Sequence, residues 1–215
     1  FLHDTMVGKD GNLYGIDESD DMLYELDRKT DEITVHKIPN PEGLPVGGNF
    51  VGAQLPIGIF TGHHGPHSGA QIADGRMFFT AALSSNLIEF SPETHEFKLH
   101  PIPRGFLWKK GLYSHTIRAD KKGNVWFTVL ASNMVLKFDP KNEEFTEIKL
   151  PSNSTTKWFS DQLTGVIVKI SSFFPGKNYI LDMSHHKKDG IGAKAFSWPY
   201  GIDINPVDGG IWYAK

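Results

Sequence analysis

The chain has 215 residues, of which 39% are hydrophobic and 22% charged, and its formal net charge is -3. These values allow a buried core and give no long-range attraction to nucleic acid or to an anionic membrane. No apolar stretch approaches the roughly 18 residues of a membrane span. The absence of cysteine excludes disulfides and thiolate metal sites, and the 22 glycines and 13 prolines favour strands and tight turns.

Three segments of the sequence superpose without a gap, at 3–39, 67–103 and 115–151. Each begins with a histidine and ends with a proline, and each carries a glycine and an aromatic residue at matching positions: Gly11, Gly75, Gly123, Tyr14, Phe78 and Trp126. A partial fourth copy, 200–215, has Tyr200 in the histidine position. Residues 1–215 are therefore predicted to form one domain built of repeats.

Each repeat, followed along the chain, alternates short apolar runs with turn residues. In the third copy a strand ends at Lys-Gly-Asn (122–124), and "NVWFTVL" and "NMVLKFD" follow. A second turn at 139–142 leads into the alternating strand "EFTEIKLP". Four short antiparallel strands per repeat predict an all-β protein, a β-propeller. About three and a half blades are present, and since closed propellers have roughly 4 to 8 blades, we expect part of a six- or seven-bladed propeller.

Two long insertions, 40–66 and 152–199, separate the repeats. Long loops on a rigid repeat scaffold often carry a binding function. Decoration or partner docking is an equally good interpretation.

The repeat predicts that His3, His67, His115 and Tyr200 form an arc around the central channel, because the first strand of every blade lies beside the axis. Such imidazoles could bind Zn, Cu, Fe or Ni, or one could act as a general base. The alternative is architectural: a histidine at a blade start could hydrogen-bond the backbone of the next blade.

Further polar residues lie near these blade starts. His63 and His64, in "GHHGPHSG", are candidates for lining a substrate mouth, and Arg118 for anchoring substrate or for pairing with a neighbouring blade. The remaining histidines of the repeats are predicted to face solvent on the outer strands: His36, His95 and His100.

The blade formula, "H…KGNVWFT…N…FDP" at 115–140 and "YGI…DG…WY" at 200–213, resembles that of the streptogramin B lyase (virginiamycin B lyase) propellers. The resemblance covers the three full repeats and the partial fourth. It implies a magnesium ion held near the axis by a histidine and glutamates, and opening of a cyclic antibiotic by elimination. A glutamate commonly follows Trp-Phe-Thr in that family; the matching residues here are Asp17, Ala81, Val129 and Lys215.

Two functions follow as hypotheses. The first is a metal-assisted lyase or hydrolase acting on a small cyclic ester, with His115, His67 and Tyr200 as catalytic residues. Its divalent metal would be held by His3, His67, His115 and Asp17; histidine ligands favour a transition metal, and the resemblance favours magnesium. The second is a non-catalytic binding platform in a larger protein. The resemblance implies a periplasmic or extracellular location, with a small-molecule or protein partner and with the rest of the propeller in the same or another chain.

Overall fold

The computed structural model of the chain describes residues 2–39, 64–82, 84–103, 114–151, 155 and 199–214. The first repeat contains the strands β1 Leu2–Val7, β2 Leu13–Asp17, β3 Met22–Leu26 and β4 Ile33–Lys37. The second contains β5 Pro66–Gln71, β6 Met77–Ala81, β7 Asn86–Ser91 and β8 Glu96–Pro101. The third contains β9 Ser114–Ala119, β10 Val125–Val129, β11 Met134–Asp139 and β12 Glu144–Lys149. Strands β13 Ile202–Ile204 and β14 Ile211–Tyr213 follow.

Each repeat folds into its own antiparallel sheet, in which consecutive strands pair with one another. The strand orders are β1-β2-β3-β4, β5-β6-β7-β8 and β9-β10-β11-β12, and β13 pairs with β14. We refer to these four sheets as blades 1 to 4. They confirm the prediction of a β-propeller with four-stranded antiparallel blades, three complete and one partial in the described residues. In that part of the chain no helix has the length and apolarity needed to cross a membrane.

Three left-handed turns recur in every complete blade, and the one between the second and third strands has Asp21, Ser85 and Asn133 at φ values of 54°, 54° and 48°. The first places Gly11, Gly75 and Gly123 at φ values of 87°, 100° and 86°. Glycine is required there because side-chain-bearing residues rarely adopt this backbone conformation. The turn before the fourth strand is also left-handed, although non-glycine residues occupy it: Asp31, His95 and Glu143 have φ values of 58°, 57° and 56°.

The core lies between the blades, and strand β6 shows how it is built. Side chains of a strand alternate between its two faces, so Met77 and Phe79 pack towards blade 1 while Phe78 packs towards blade 3. Both faces of β6 are buried. A continuous apolar run such as "MFFTA" is the expected sequence for a strand covered on both sides.

The first strands of successive blades lie side by side, β1 next to β5, β5 next to β9 and β9 next to β13. Residues at the same repeat position are consequently neighbours around the axis. This arrangement positions the candidate site.

Candidate functional site

The structure brings His3, His67, His115 and Tyr200 together in one row of rings. The ring centroids of His3 and His67 are 3.8 Å apart, and those of His67 and His115 are also 3.8 Å apart. Tyr200 continues the row, with its ring centroid 3.9 Å from that of His115. We call these four residues the axial arc.

Each histidine of the axial arc lies at an irregularity of its first strand. On β9, His115 and Thr116 stand opposite the single residue Thr128, and on β5, His67 and Ser68 stand opposite Thr80. His3 is the extra residue between Leu2 and Asp4 of β1. A β-bulge turns a side chain away from the regular alternation, so the bulge repeated at each blade start accounts for the three imidazoles sharing one position.

Beside the axial arc, a repeated hydrogen bond joins one blade to the next. The Thr80 hydroxyl donates to the His115 carbonyl oxygen at 2.5 Å, and the Thr128 hydroxyl donates to the Tyr200 carbonyl oxygen at 2.9 Å. Blade 1 has Ile16 in the threonine position. There His3 Nδ1 lies 2.8 Å from the His67 carbonyl oxygen and donates instead. His3 therefore has the architectural contact that the sequence left as the alternative.

The arc is exposed at its ends and buried at its centre. His67 and His115 are 5% and 3% exposed, whereas Tyr200 is 40% exposed. Burial, followed by the negative charge of Glu18, raises the pKa of Tyr200 above its ordinary value. The phenol consequently stays protonated at neutral pH, where it can donate a hydrogen bond.

The predicted metal ligands do not converge. Among the described residues, one group of three or more potential ligands has its donor atoms all within 4.8 Å of one another, and it is Glu25, His36 and His95. His3, His67, His115 and Asp17 form no such group, because each imidazole packs against its neighbour along the arc. The Asp17 Oδ1 atom instead accepts hydrogen bonds from the backbone N–H groups of Ser19 and Asp20, at 2.8 and 3.2 Å.

His64 and Arg118 lie at contacts between blades. The His64 side chain is buried, with Nδ1 2.6 Å from the Ser84 hydroxyl and Nε2 2.8 Å from the Pro39 carbonyl oxygen. Both ring nitrogens are thus engaged with protein atoms. Arg118 is partly exposed, with Nε 3.5 Å from an Asp203 carboxylate oxygen of blade 4, which is the pairing weighed above against substrate anchoring. His63 lies outside the described residues.

The prediction that His36 and His100 face solvent is wrong. Their side chains are 9% and 5% exposed, and each Nε2 contacts a glutamate of the adjacent strand, Glu25 at 2.8 Å and Glu89 at 2.6 Å. His95 is 54% exposed. The Glu25–His36 and Glu89–His100 pairs occupy the same two positions of their repeats, so the sequence contained a signal that these residues pair.

Glu18 and the two bridging threonines were not singled out in the sequence. The threonines had a visible signal, because Thr80 and Thr128 occupy the same position in "MFFTA" and "VWFTV". Glu18 had none, since the other blades have Ala82 and Leu130 at its repeat position.

No protein-family model and no curated protein sequence matches the chain. Solved structures do resemble it. Virginiamycin B lyase from Staphylococcus aureus superposes with a TM-score of 0.61 at 14% identity, over 98% of this chain and 47% of the lyase. A catalytically inactive histidine-to-alanine variant of the same lyase, with quinupristin, gives 0.55 at 16% identity, over 71% of this chain and 42% of the lyase.

The extracellular domain of a putative hybrid two-component system from Bacteroides thetaiotaomicron also superposes, with a TM-score of 0.55 at 12% identity. That match covers 99% of this chain and 21% of the other. The present chain spans about half the length of the virginiamycin B lyase it matches. At these identities the likeness concerns the fold, and the chain has the β-propeller fold of virginiamycin B lyase.

Proposed function

We propose that the axial arc is the reaction centre of a streptogramin-lyase-like enzyme that opens a small cyclic ester. The observation that carries this proposal is the row of His67, His115 and Tyr200 rings, in which the histidines lie on the first strands of blades 2 and 3 and Tyr200 lies two residues before β13 of blade 4. The inactive histidine-to-alanine variant of the similar lyase, described with quinupristin, supports a histidine as the residue that such chemistry needs.

His115 is the candidate base. Its Nδ1 lies 3.0 Å from the Thr116 hydroxyl oxygen. In the tautomer that donates from Nδ1 to this oxygen, the lone pair is on Nε2, where it can accept a proton. In an elimination, the base would take a proton from the carbon next to the one that bears the ester oxygen. The electrons of that C–H bond form a C=C bond, the C–O bond breaks, and the acid leaves as a carboxylate.

Tyr200 and His67 would assist from either side of His115 along the arc. The protonated Tyr200 phenol can donate a hydrogen bond to the departing carboxylate. His67 packs against the His115 ring and would hold its orientation.

The divalent metal implied by the resemblance to the lyases is not part of this proposal at the arc. The donor atoms of His3, His67, His115 and Asp17 do not meet within one coordination sphere. The proposed elimination is assigned to protein side chains alone.

The test is to incubate the full-length protein with quinupristin and a panel of cyclic depsipeptides and lactones, followed by mass spectrometry. Elimination opens the ring without changing the mass, whereas hydrolysis adds the mass of one water. We expect ring-opened product of unchanged mass, and none from His115→Ala. A native protein that opens no member of the panel would contradict the proposal.

A binding platform is the second candidate, and a surface on blade 1 favours it. Phe97 and Leu99 of β8 pack on the core shared with blade 1. The equivalent residues of β4, Ile33 and Val35, are 64% and 52% exposed. This face would accept a further blade, from the same or another chain, and a periplasmic or extracellular setting suits the likeness to an extracellular domain. Tight binding of a panel compound without turnover would select this alternative.

A further inference from the structure

Three side chains from two blades meet at the outer part of the interface between blades 1 and 2. Glu25 lies on β3 and His36 on β4, and His95 comes from the turn between β7 and β8. Glu25 Oε2 is 2.8 Å from His36 Nε2 and 3.6 Å from His95 Nε2. One potential ligand atom from each residue falls within 4.8 Å of the other two. We call this group the rim cluster.

The spacing of the rim cluster suits a small transition-metal ion. Zinc binds histidine nitrogen and carboxylate oxygen at about 2.0–2.2 Å, which separates neighbouring ligands of a tetrahedral site by about 3.4 Å. The 2.8 and 3.6 Å distances lie on either side of that value. Two imidazoles and one carboxylate are a suitable donor set for zinc, whereas magnesium and calcium prefer oxygen ligands throughout.

The carboxylate is already fixed in position. Its second oxygen, Glu25 Oε1, accepts a hydrogen bond from Asn12 Nδ2 at 2.8 Å and lies 3.0 Å from the Tyr14 hydroxyl. Hydrogen bonds of this kind orient a metal ligand and increase affinity.

We propose that Glu25, His36 and His95 bind a transition-metal ion, with Zn²⁺ the best fit, and that the ion fastens blade 1 to blade 2. The metal would bind between His36 Nε2 and Glu25 Oε2, which contact each other directly at 2.8 Å. The partly exposed His95 leaves the site open to solvent, so a water molecule can complete a four-coordinate sphere. This site is separate from the axial arc and does not depend on the proposed enzyme activity.

Blades 2 and 3 provide an internal comparison. Glu89 and His100 form the same pair at the same repeat positions, with a 2.6 Å contact. The third partner there is the cation Arg76, whose Nη1 lies 2.9 Å from Glu89 Oε1. The turn residue equivalent to His95 is Glu143, which pairs with Lys98. Arg76 takes the place of Asn12, and Glu143 stands where the second imidazole would be, so this pair has one imidazole and a neighbouring cation, and we expect no metal there.

The experiment uses the full-length protein, stripped with a chelator and titrated with Zn²⁺ and with Co²⁺, whose visible absorption reports tetrahedral coordination. The test variant is His95→Asn, because asparagine tolerates the left-handed backbone of this turn. Asp31→Asn, at the equivalent turn position of blade 1, is the matched control. A third sample carries His67→Ala and His115→Ala, to separate the axial arc from the rim cluster.

We expect one tightly bound metal ion in the native protein, in Asp31→Asn and in the axial double variant. His95→Asn should bind at least about 100-fold more weakly. Zn²⁺ should also raise the thermal midpoint of the native protein but not that of His95→Asn. The proposal is overturned if the native protein binds no metal, if His95→Asn binds as tightly, or if binding is lost only in the axial double variant.

Discussion

Replacement of Thr80 by valine tests how the blades are joined beside the axial arc. The Thr80 side chain is buried. Its hydroxyl donates to the His115 carbonyl oxygen at 2.5 Å and accepts from the Ser68 N–H at 3.1 Å. Valine keeps the shape of threonine and removes both contacts. It leaves a backbone donor on β5 and a backbone acceptor on β9 without the hydroxyl between them.

The expected loss follows from those two groups. A buried polar group that loses its hydrogen-bond partner costs about 1–3 kcal/mol. Because the hydroxyl itself no longer has to be buried, we expect a combined loss of about 2–4 kcal/mol in the free energy of unfolding for Thr80→Val. Thr128→Val removes the contact to the Tyr200 carbonyl oxygen, and we expect a smaller loss of about 1–2 kcal/mol.

Urea denaturation of the full-length protein measures the loss, and hydrogen exchange followed by mass spectrometry localises it. Exchange should speed up in β5 and β9 more than elsewhere. Thr80→Ser, which keeps the hydroxyl, should recover most of the stability. A Thr80→Val protein within about 0.5 kcal/mol of native stability, or exchange unchanged in β5 and β9, would refute this account of the blade junction.

Two further predictions concern the packing and charge of blade 2. Burial alone would raise the pKa of Glu89, but His100 and Arg76 lower it. Its contribution to stability is thus present above its unfolded pKa and lost as the pH falls through the folded pKa. Between about pH 5 and pH 3 the urea midpoint of Glu89→Gln should fall less steeply with decreasing pH than that of the native protein, and an equally steep fall would contradict this. A Cβ on Gly69 would meet Met6 Cε of blade 1 and lie 2.8 Å from Phe79 Cε1, so Gly69→Ala should cost about 1–3 kcal/mol of the free energy of unfolding in urea. Gly201→Ala, with its nearest neighbour at 3.9 Å, should be neutral in the same urea denaturation; equal effects of the two substitutions would show that the close contact at Gly69 relaxes freely.

The blade fold could be predicted from the sequence because its signals repeat. Gly11, Gly75 and Gly123 mark the same left-handed turn in each copy. The run "MFFTA" shows a strand buried on both faces. Repetition converts weak local preferences into one consistent pattern, and propeller geometry then places the first strands beside one another.

The site was only partly predictable, because its chemistry depends on contacts between blades. Register within the repeat was enough to place His3, His67, His115 and Tyr200 at one level. It gave no information on whether the rings converge on a point or pack against each other in a row. The rim cluster was missed for a related reason: His95 looks solvent-facing within its own blade, and its partners Glu25 and His36 belong to the preceding blade.

The most direct test of the central claim is the rate of ring opening of a cyclic depsipeptide by full-length native protein, His115→Ala and His100→Gln. His100 is paired with Glu89 on the outer strands and serves as the histidine control. General-base catalysis contributes about 100-fold or more. We predict at least that loss for His115→Ala and near-native turnover for His100→Gln. Equal turnover by native protein and His115→Ala, or no turnover by native protein, would contradict the assignment of the axial arc as a reaction centre.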